Sequence, residues 1–86
     1  MDNRKHNYLL KLFKILSNSN RLSILELIAT KESSVGQIAE KLNMDQSLIS
    51  QHLSKMREND IVKARQEGLY MYYSLKDENI TTLLKL

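Results

Sequence analysis

Residues 34–73 read SVGQIAEKLNMDQSLISQHLSKMRENDIVKARQEGLYMYY and contain two helical patterns followed by an alternating one. Apolar side chains recur every three or four positions in residues 34–42 and 46–59, which predicts two helices joined by a turn at residues 43–45. In residues 62–73 the period changes to two on either side of Gly68, which predicts a β-hairpin. Helix, tight turn, helix and hairpin in this order predict a winged helix-turn-helix, whose second helix enters a DNA groove.

Further helical patterns lie on both sides of this region. One covers about residues 4–16, another follows a polar break at residues 17–20, and the last covers residues 76–86. Ser34 and Asp45 stand where helix N-caps are needed, because their side-chain oxygens accept free N–H groups of a first helical turn. The predicted order is ααααββα, a mainly α fold with a small β-hairpin (α+β), and we expect residues 1–86 to form one domain.

The helix predicted at residues 46–59 has an unusual outer face, because that face is polar but nearly uncharged. Ile49, Leu53 and Met56 share its apolar side. Small hydroxyls and amides approach base edges and phosphates closely, and a Gln can pair bidentately with adenine. We therefore predict DNA contacts from this helix, the alternative being an ordinary serine-rich surface. The predicted contacts are Gln46, Ser47, Ser50, Gln51, Ser54 and Lys55.

The hairpin would form a wing at residues 63–69. Lys63 and Arg65 alternate with its apolar residues, so we predict that they reach the DNA backbone or the minor groove. Glu67 is a poor fit at the wing tip, because phosphate would repel it. His52 projects near the apolar side of the preceding helix, and we expect it to be packed or partly buried rather than to read a base.

Composition limits the classes of function. The chain has 86 residues, a net charge of +3 and no cysteine, so disulfides and thiolate metal sites are excluded. No apolar run reaches the roughly 18 residues that span a bilayer, and the N-terminal stretch lacks the pattern of a signal peptide. No catalytic constellation or phosphate loop is recognisable. We expect a soluble cytoplasmic protein that is not an enzyme and does not contact membranes.

The first helix is apolar around much of its circumference, which a small core cannot cover by itself. A partner subunit is the favoured explanation. An alternative function of a different class remains open at this point: a protein–protein adaptor that uses the winged-helix fold to hold a partner and does not bind DNA.

Three stretches of the chain resemble the ArsR/SmtB family of bacterial transcriptional repressors. Residues 13–25 (FKILSNSNRLSIL) are similar to the family's FKALGDxxRLxIL opening, and residues 42–53 (LNMDQSLISQHL) to its LxxSQSxVSxHL recognition helix. The third stretch that resembles the family is the hairpin at residues 62–75. The resemblance implies a homodimer through the first and last helices, a twofold-symmetric DNA operator, and repression released by a ligand. The interface residues would be Leu9, Leu12, Ile15, Ile80, Leu83 and Leu84.

The resemblance also implies which residues touch DNA and which metal sites to look for. The family's DNA contacts would fall on Gln46, Ser47, Ser50 and Gln51. Asp77 matches one ligand of a family metal site on the last helix, but the matching histidine position is Asn79, a poor zinc ligand. We therefore expect no metal and no cofactor, and the effector, whether a small molecule or an ion, is unknown.

Overall fold

The computed structural model describes residues 3–86, and residues 1 and 2 of the N-terminal stretch lie outside the described residues. The described chain forms five helices and three short strands in the predicted order, with one added strand. This confirms the mainly α winged helix-turn-helix. The elements are α1 Asn3–Leu16, α2 Ser19–Thr30, β1 Ser33–Ser34, α3 Val35–Leu42, α4 Gln46–Glu58, β2 Val62–Glu67, β3 Tyr70–Leu75 and α5 Glu78–Leu84.

Side-chain caps define the helix-turn-helix formed by α3 and α4. Ser34 accepts the Gln37 N–H at 3.2 Å, and the Gln37 side chain accepts the Ser34 N–H at 2.9 Å, which completes a capping box. Asp45 accepts the Ser47 N–H at 2.7 Å at the start of α4. Between the helices, Asn43 adopts the left-handed conformation with φ of 53°, which Asn tolerates better than most residues. The predicted caps at Ser34 and Asp45 are thereby confirmed.

The sheet has the strand order β1-β3-β2, and both pairings are antiparallel. β2 and β3 form the predicted hairpin, and Gly68 in its turn has a φ of +60°. β1 was not predicted, because two residues are too few to show an alternating pattern. Leu69, which follows Gly68 in the turn, is 96% exposed.

The core lies where all five helices meet the base of the hairpin. On α4, Ile49, Leu53 and Met56 are 0% exposed, as the apolar stripe of that helix predicted. The other buried apolar residues come from the remaining helices and from the start of β2. They are Leu12, Ile15, Ile24, Leu25, Ile28, Ile38, Ala39, Ile61, Val62 and Ile80.

Three residues expected at a dimer interface belong instead to the core of a single chain. Leu12 and Ile15 are 3% exposed and Ile80 is 1% exposed, so almost none of their surface is left for a partner. The helical pattern of α1 located an apolar arc but not which part of it faces the chain's own core. The apolar side chains left at the surface of α1 and α5 are Leu10, Phe13 and Leu83, with Leu9 and Leu84 partly buried.

Candidate nucleic-acid interface

One face of α4 presents the uncharged polar side chains to solvent. Each of the six residues predicted to contact DNA from this helix is exposed, and the structure brings them together on one element. They are Gln46, Ser47, Ser50, Gln51, Ser54 and Lys55. Within residues 3–86, no part of the same chain covers them.

This face is held rigidly from beneath. The three fully buried side chains Ile49, Leu53 and Met56 lie on the opposite side of the helix, so α4 cannot turn without opening the core. Asp45 holds the first turn by its bond to the Ser47 N–H. A rigid helix with an open hydrogen-bonding face can present several side chains in fixed register to a groove.

His52 is partly buried on α4, as expected from its position near the apolar side. Its Nε2 atom is buried and has no hydrogen-bond partner among the described residues. Burial lowers the pKa of His52 below its usual range, and the positive charges of Arg21 and Lys55 lower it further. The geometry makes His52 a packing residue of α4.

The two cations of the wing differ in their surroundings. Lys63 is exposed on β2, and no ion pair involving it is found in the described part of the chain. Arg65 is bound on both sides: its Nε and Nη2 donate to Oε1 of Glu32 at 2.9 and 2.7 Å, and its Nη1 donates to Oε2 of Glu67 at 2.7 Å. Its guanidinium also lies 5.1 Å from the ring centre of Tyr72.

These contacts explain Glu67, which appeared misplaced at a wing tip. Glu67 pairs with Arg65 two residues earlier on the same face of β2. Hydrogen bonds to Glu32 and Glu67 raise the pKa of Arg65, so its guanidinium stays positively charged beside two carboxylates. Sequence reasoning missed Glu32 altogether, because it lies 33 positions from Arg65 and no local pattern connects them.

Arg21 is a second residue that sequence reasoning did not assign a role. Its Nε donates to the Ile15 carbonyl at 3.0 Å and its Nη2 to the Lys14 carbonyl at 3.5 Å. These carbonyls lie at the C-terminal end of α1, where backbone acceptors lack helical partners. Arg21 therefore ties α2 to α1, and its position within the family-like opening was the signal that could have drawn attention to it.

Asp77, which matched a family metal ligand, is used to start α5. One carboxylate oxygen accepts the Asn79 N–H at 2.9 Å, and the other accepts the Tyr8 hydroxyl at 3.4 Å. Burial and the neighbouring Asp77 raise the pKa of Tyr8, so the hydroxyl remains a donor. Across residues 3–86, no three His, Cys, Asp or Glu side chains are grouped as metal ligands would be. Nor is any helix there long and apolar enough to span a membrane.

The comparison with known protein families shows to which family the chain belongs. The model of bacterial regulatory proteins of the arsR family matches residues 18–64, more than half of the chain. The chain belongs to the ArsR family. One relative is the transcriptional activator HlyU of Vibrio cholerae, which is 33% identical over 75 residues. These residues cover 87% of this chain and 69% of HlyU. The transcriptional repressor PagR of Bacillus anthracis is 38% identical over 77 residues, or 88% of this chain and 77% of PagR.

Solved structures of ArsR-type regulators agree with the fold. HlyU of Vibrio cholerae superposes with a TM-score of 0.89 at 28% identity, covering 98% of this chain and 91% of HlyU. A DNA-binding domain of a possible ArsR-family regulator from Mycobacterium bovis, described as homodimeric, gives 0.86 at 31% identity, with 99% and 82% covered. Some relatives are longer: the chain spans 57% of the nodulation protein NolR of Rhizobium meliloti.

Proposed function

We propose that this ArsR-family chain is a homodimeric transcriptional repressor of the cytoplasm that binds an inverted-repeat operator in double-stranded DNA. Its α4 would lie in the major groove and its wing, residues 63–69, beside the DNA backbone. One observation carries the proposal: the serine and glutamine face of α4 is exposed, while Ile49, Leu53 and Met56 beneath it are fully buried. Such a helix is built to present hydrogen-bonding groups to base edges.

The charge around α4 suits an approach to phosphate. Lys55 and Arg57 are exposed in the last turns of α4, and Lys63 is exposed on β2. Phosphate contacts fix the orientation of a protein on the duplex, whereas the side chains on base edges select the sequence. We assign orientation to these cations and selection to Gln46, Ser47, Ser50, Gln51 and Ser54.

The proposed subunit interface uses the apolar surface that the folded chain leaves open on α1 and α5. Leu10 and Phe13 are each 56% exposed, and Leu83 is 37% exposed. Leu9 and Leu84, which were expected there, are partly buried and can add area at the edge. The homodimeric Mycobacterium bovis domain supports a twofold pair. In such a pair, both copies present the same patch, which suits an operator with two symmetric half-sites.

The named relatives differ in the direction of regulation, since some are repressors and one is an activator. PagR and SdpR of Bacillus subtilis are named transcriptional repressors, and HlyU is named an activator. We favour repression, in which the bound dimer obstructs the promoter. A reporter gene behind the selected operator distinguishes the two, because a repressor lowers its transcription and an activator raises it.

The decisive experiment is selection of bound duplexes from random DNA by the purified chain. The expected product is an inverted repeat whose half-site centres are about 34–36 Å apart, one turn of the double helix. Binding should weaken steeply with salt, as it does for proteins that neutralise several phosphates. A single low affinity shared by all duplexes, with no enriched repeat, would rule out the proposed function.

A further inference from the structure

We propose that Arg65 is a positioning residue, which fixes the wing to the loop before β1, and that it is not a phosphate contact. The inference deepens the proposed function, on which its DNA readout rests, and corrects the role expected for Arg65 from sequence. It leaves Lys63 as the cation on β2 that is available to the DNA backbone.

The register of the sheet places Arg65 at the centre of a bridge across three strands. Arg65 on β2 lies opposite Tyr72 on β3, and Tyr72 lies opposite Ser34 on β1. The guanidinium passes over the Tyr72 ring at 5.1 Å and reaches Glu32, immediately before β1. One side chain therefore joins the outer strand β2 to the far side of the sheet.

The bridge uses the geometry that distinguishes Arg from Lys. All three guanidinium nitrogens lie 2.7–2.9 Å from carboxylate oxygens, two of them at Glu32 and one at Glu67, and the guanidinium carbon lies 5.1 Å from the centre of the Tyr72 ring. A lysine ammonium carries the same charge but cannot form this planar fork. Exposed ion pairs are individually weak, but Arg65 is restrained at once by Glu32, Glu67 and the ring of Tyr72.

The local charge argues against a phosphate contact at this position. Arg65 contributes +1 and its two carboxylate partners contribute −2, so the bridge carries a net charge of −1. A phosphate that approached the guanidinium would also approach both carboxylates and would be repelled by them. Lys63, two residues earlier on β2, has no such neighbours among the ion pairs of residues 3–86.

The loop held by the bridge connects the wing to the helix-turn-helix. Glu32 stands directly before β1, whose Ser34 caps α3. β1 has only two residues, so its attachment to the sheet depends on few backbone bonds. Fixing Glu32 to Arg65 therefore sets the angle of the wing relative to α3 and α4, so that the wing and α4 can meet a duplex together.

The DNA test compares the salt dependence of operator binding for Lys63→Ala, Arg65→Ala, Arg65→Lys and Glu32→Ala. Lys63→Ala should reduce the slope of log affinity against log salt by about 1.8, because each of the two subunits loses one phosphate contact. Arg65→Ala should leave that slope unchanged and weaken binding about two- to fivefold, the range of a lost surface ion-pair network. Arg65→Lys should not restore the affinity, and Glu32→Ala, which removes the acceptor oxygen, should weaken binding similarly.

Two controls complete this comparison. Glu26→Gln removes an exposed carboxylate from α2 and should leave operator affinity unchanged. In the double variant Glu32→Ala/Arg65→Ala, the losses should not add, because both changes break the same bridge. If Arg65→Ala lowers the slope by about 1.8 and Arg65→Lys restores it, Arg65 contacts phosphate in both subunits and the proposal is overturned.

A second readout needs no DNA and separates this inference from the proposed function. Hydrogen exchange of the free protein should be faster at the amides of Ser33 and Tyr73, which pair across β1 and β3, in Arg65→Ala and Glu32→Ala, but not in Lys63→Ala or Glu26→Gln. Unchanged exchange in the first two variants would overturn the bridge. Failure of the wild type to select any duplex, with the expected exchange pattern, would reject the proposed function and leave the bridge established.

Discussion

Ser50 and Gln51 are exposed in the middle of α4, next to Ile49, which is fully buried. Because Ile49 is held in the core, α4 cannot rotate, and the side chains of Ser50 and Gln51 keep their outward direction. Short and amide side chains held in this way can distinguish one base edge from another. The residues proposed to read DNA therefore depend for their placement on the residues that anchor the helix.

Replacing Gln51 by Ala should reduce discrimination at one operator base pair by about 1–3 kcal/mol, since a bidentate amide pair is lost. Ser50→Ala should relax preference at a neighbouring position. Competition between the operator and single-base variants measures both effects. Ser19→Ala, an exposed serine on α2, is the matched control and should leave the preferences intact. Full retention of the wild-type preferences in Gln51→Ala would contradict base reading by this residue.

His52 should make stability depend on pH. Burial, with Arg21 and Lys55, lowers its pKa in the folded chain below the ordinary value of 6.5. As the pH falls through about 6.5 the unfolded histidine binds a proton before the folded one does, so stability falls and levels off once the folded His52 also titrates. His52→Gln should flatten this decline, whereas His6→Gln, at an exposed position, should not. Thermal unfolding measured across this pH range checks the difference, and parallel curves for His52→Gln and wild type would contradict it.

The elements of the helix-turn-helix depend on caps at their first turns. Asp45→Ala removes the acceptor for the Ser47 N–H at 2.7 Å and should cost about 1 kcal/mol of unfolding free energy. Asp45→Asn keeps an acceptor oxygen and should retain most of that stability. Urea unfolding of the two variants measures the cap. Equal losses in both would show that the carboxylate charge, and not the hydrogen bond, holds the start of α4.

α4 as an element is anchored by its buried stripe. Leu53 is 0% exposed, so Leu53→Ala should destabilise the chain by about 2–5 kcal/mol through lost burial and the cavity left behind. Ser54→Ala, at the next and exposed position, should change stability by less than about 0.5 kcal/mol. Chemical unfolding distinguishes these outcomes, and similar losses for both variants would contradict an anchored helix with one open face.

At the scale of the whole molecule, an apolar surface on α1 and α5 is left uncovered by residues 3–86. Phe13→Glu places a charge on this surface and should shift the protein from dimer to monomer, because burying an unpaired charge in a subunit interface costs free energy. Its helix content should not change, since Phe13 is 56% exposed in the single chain. Sedimentation with circular dichroism measures both properties.

The matched control for that change is Leu69→Glu. Leu69 is also apolar and is 96% exposed, but it lies in the turn of the wing, away from α1 and α5 along the chain. Its replacement should leave the oligomeric state as it is in the wild type. A protein that stays dimeric with Phe13→Glu, or that dissociates with Leu69→Glu, would exclude the proposed interface.

Local patterns were sufficient to predict the order of the helices, the hairpin, the caps at Ser34 and Asp45, and the buried stripe of α4. All of these depend on interactions between residues a few positions apart, which leave a period or a fixed spacing in the sequence. The exposure of the serine and glutamine face follows from the same period, because the side opposite a buried stripe faces outward.

Contacts between distant residues were decided by the tertiary structure alone. The bond from Arg65 to Glu32 joins positions 33 apart, and the two-residue β1 exists because β3 passes beside it. The folded chain also buries Leu12 and Ile15 and leaves Phe13 exposed, although all three belong to one apolar arc of α1. Periodicity tells which side of an element is apolar, but only the packed neighbours determine what covers that side and which charges meet.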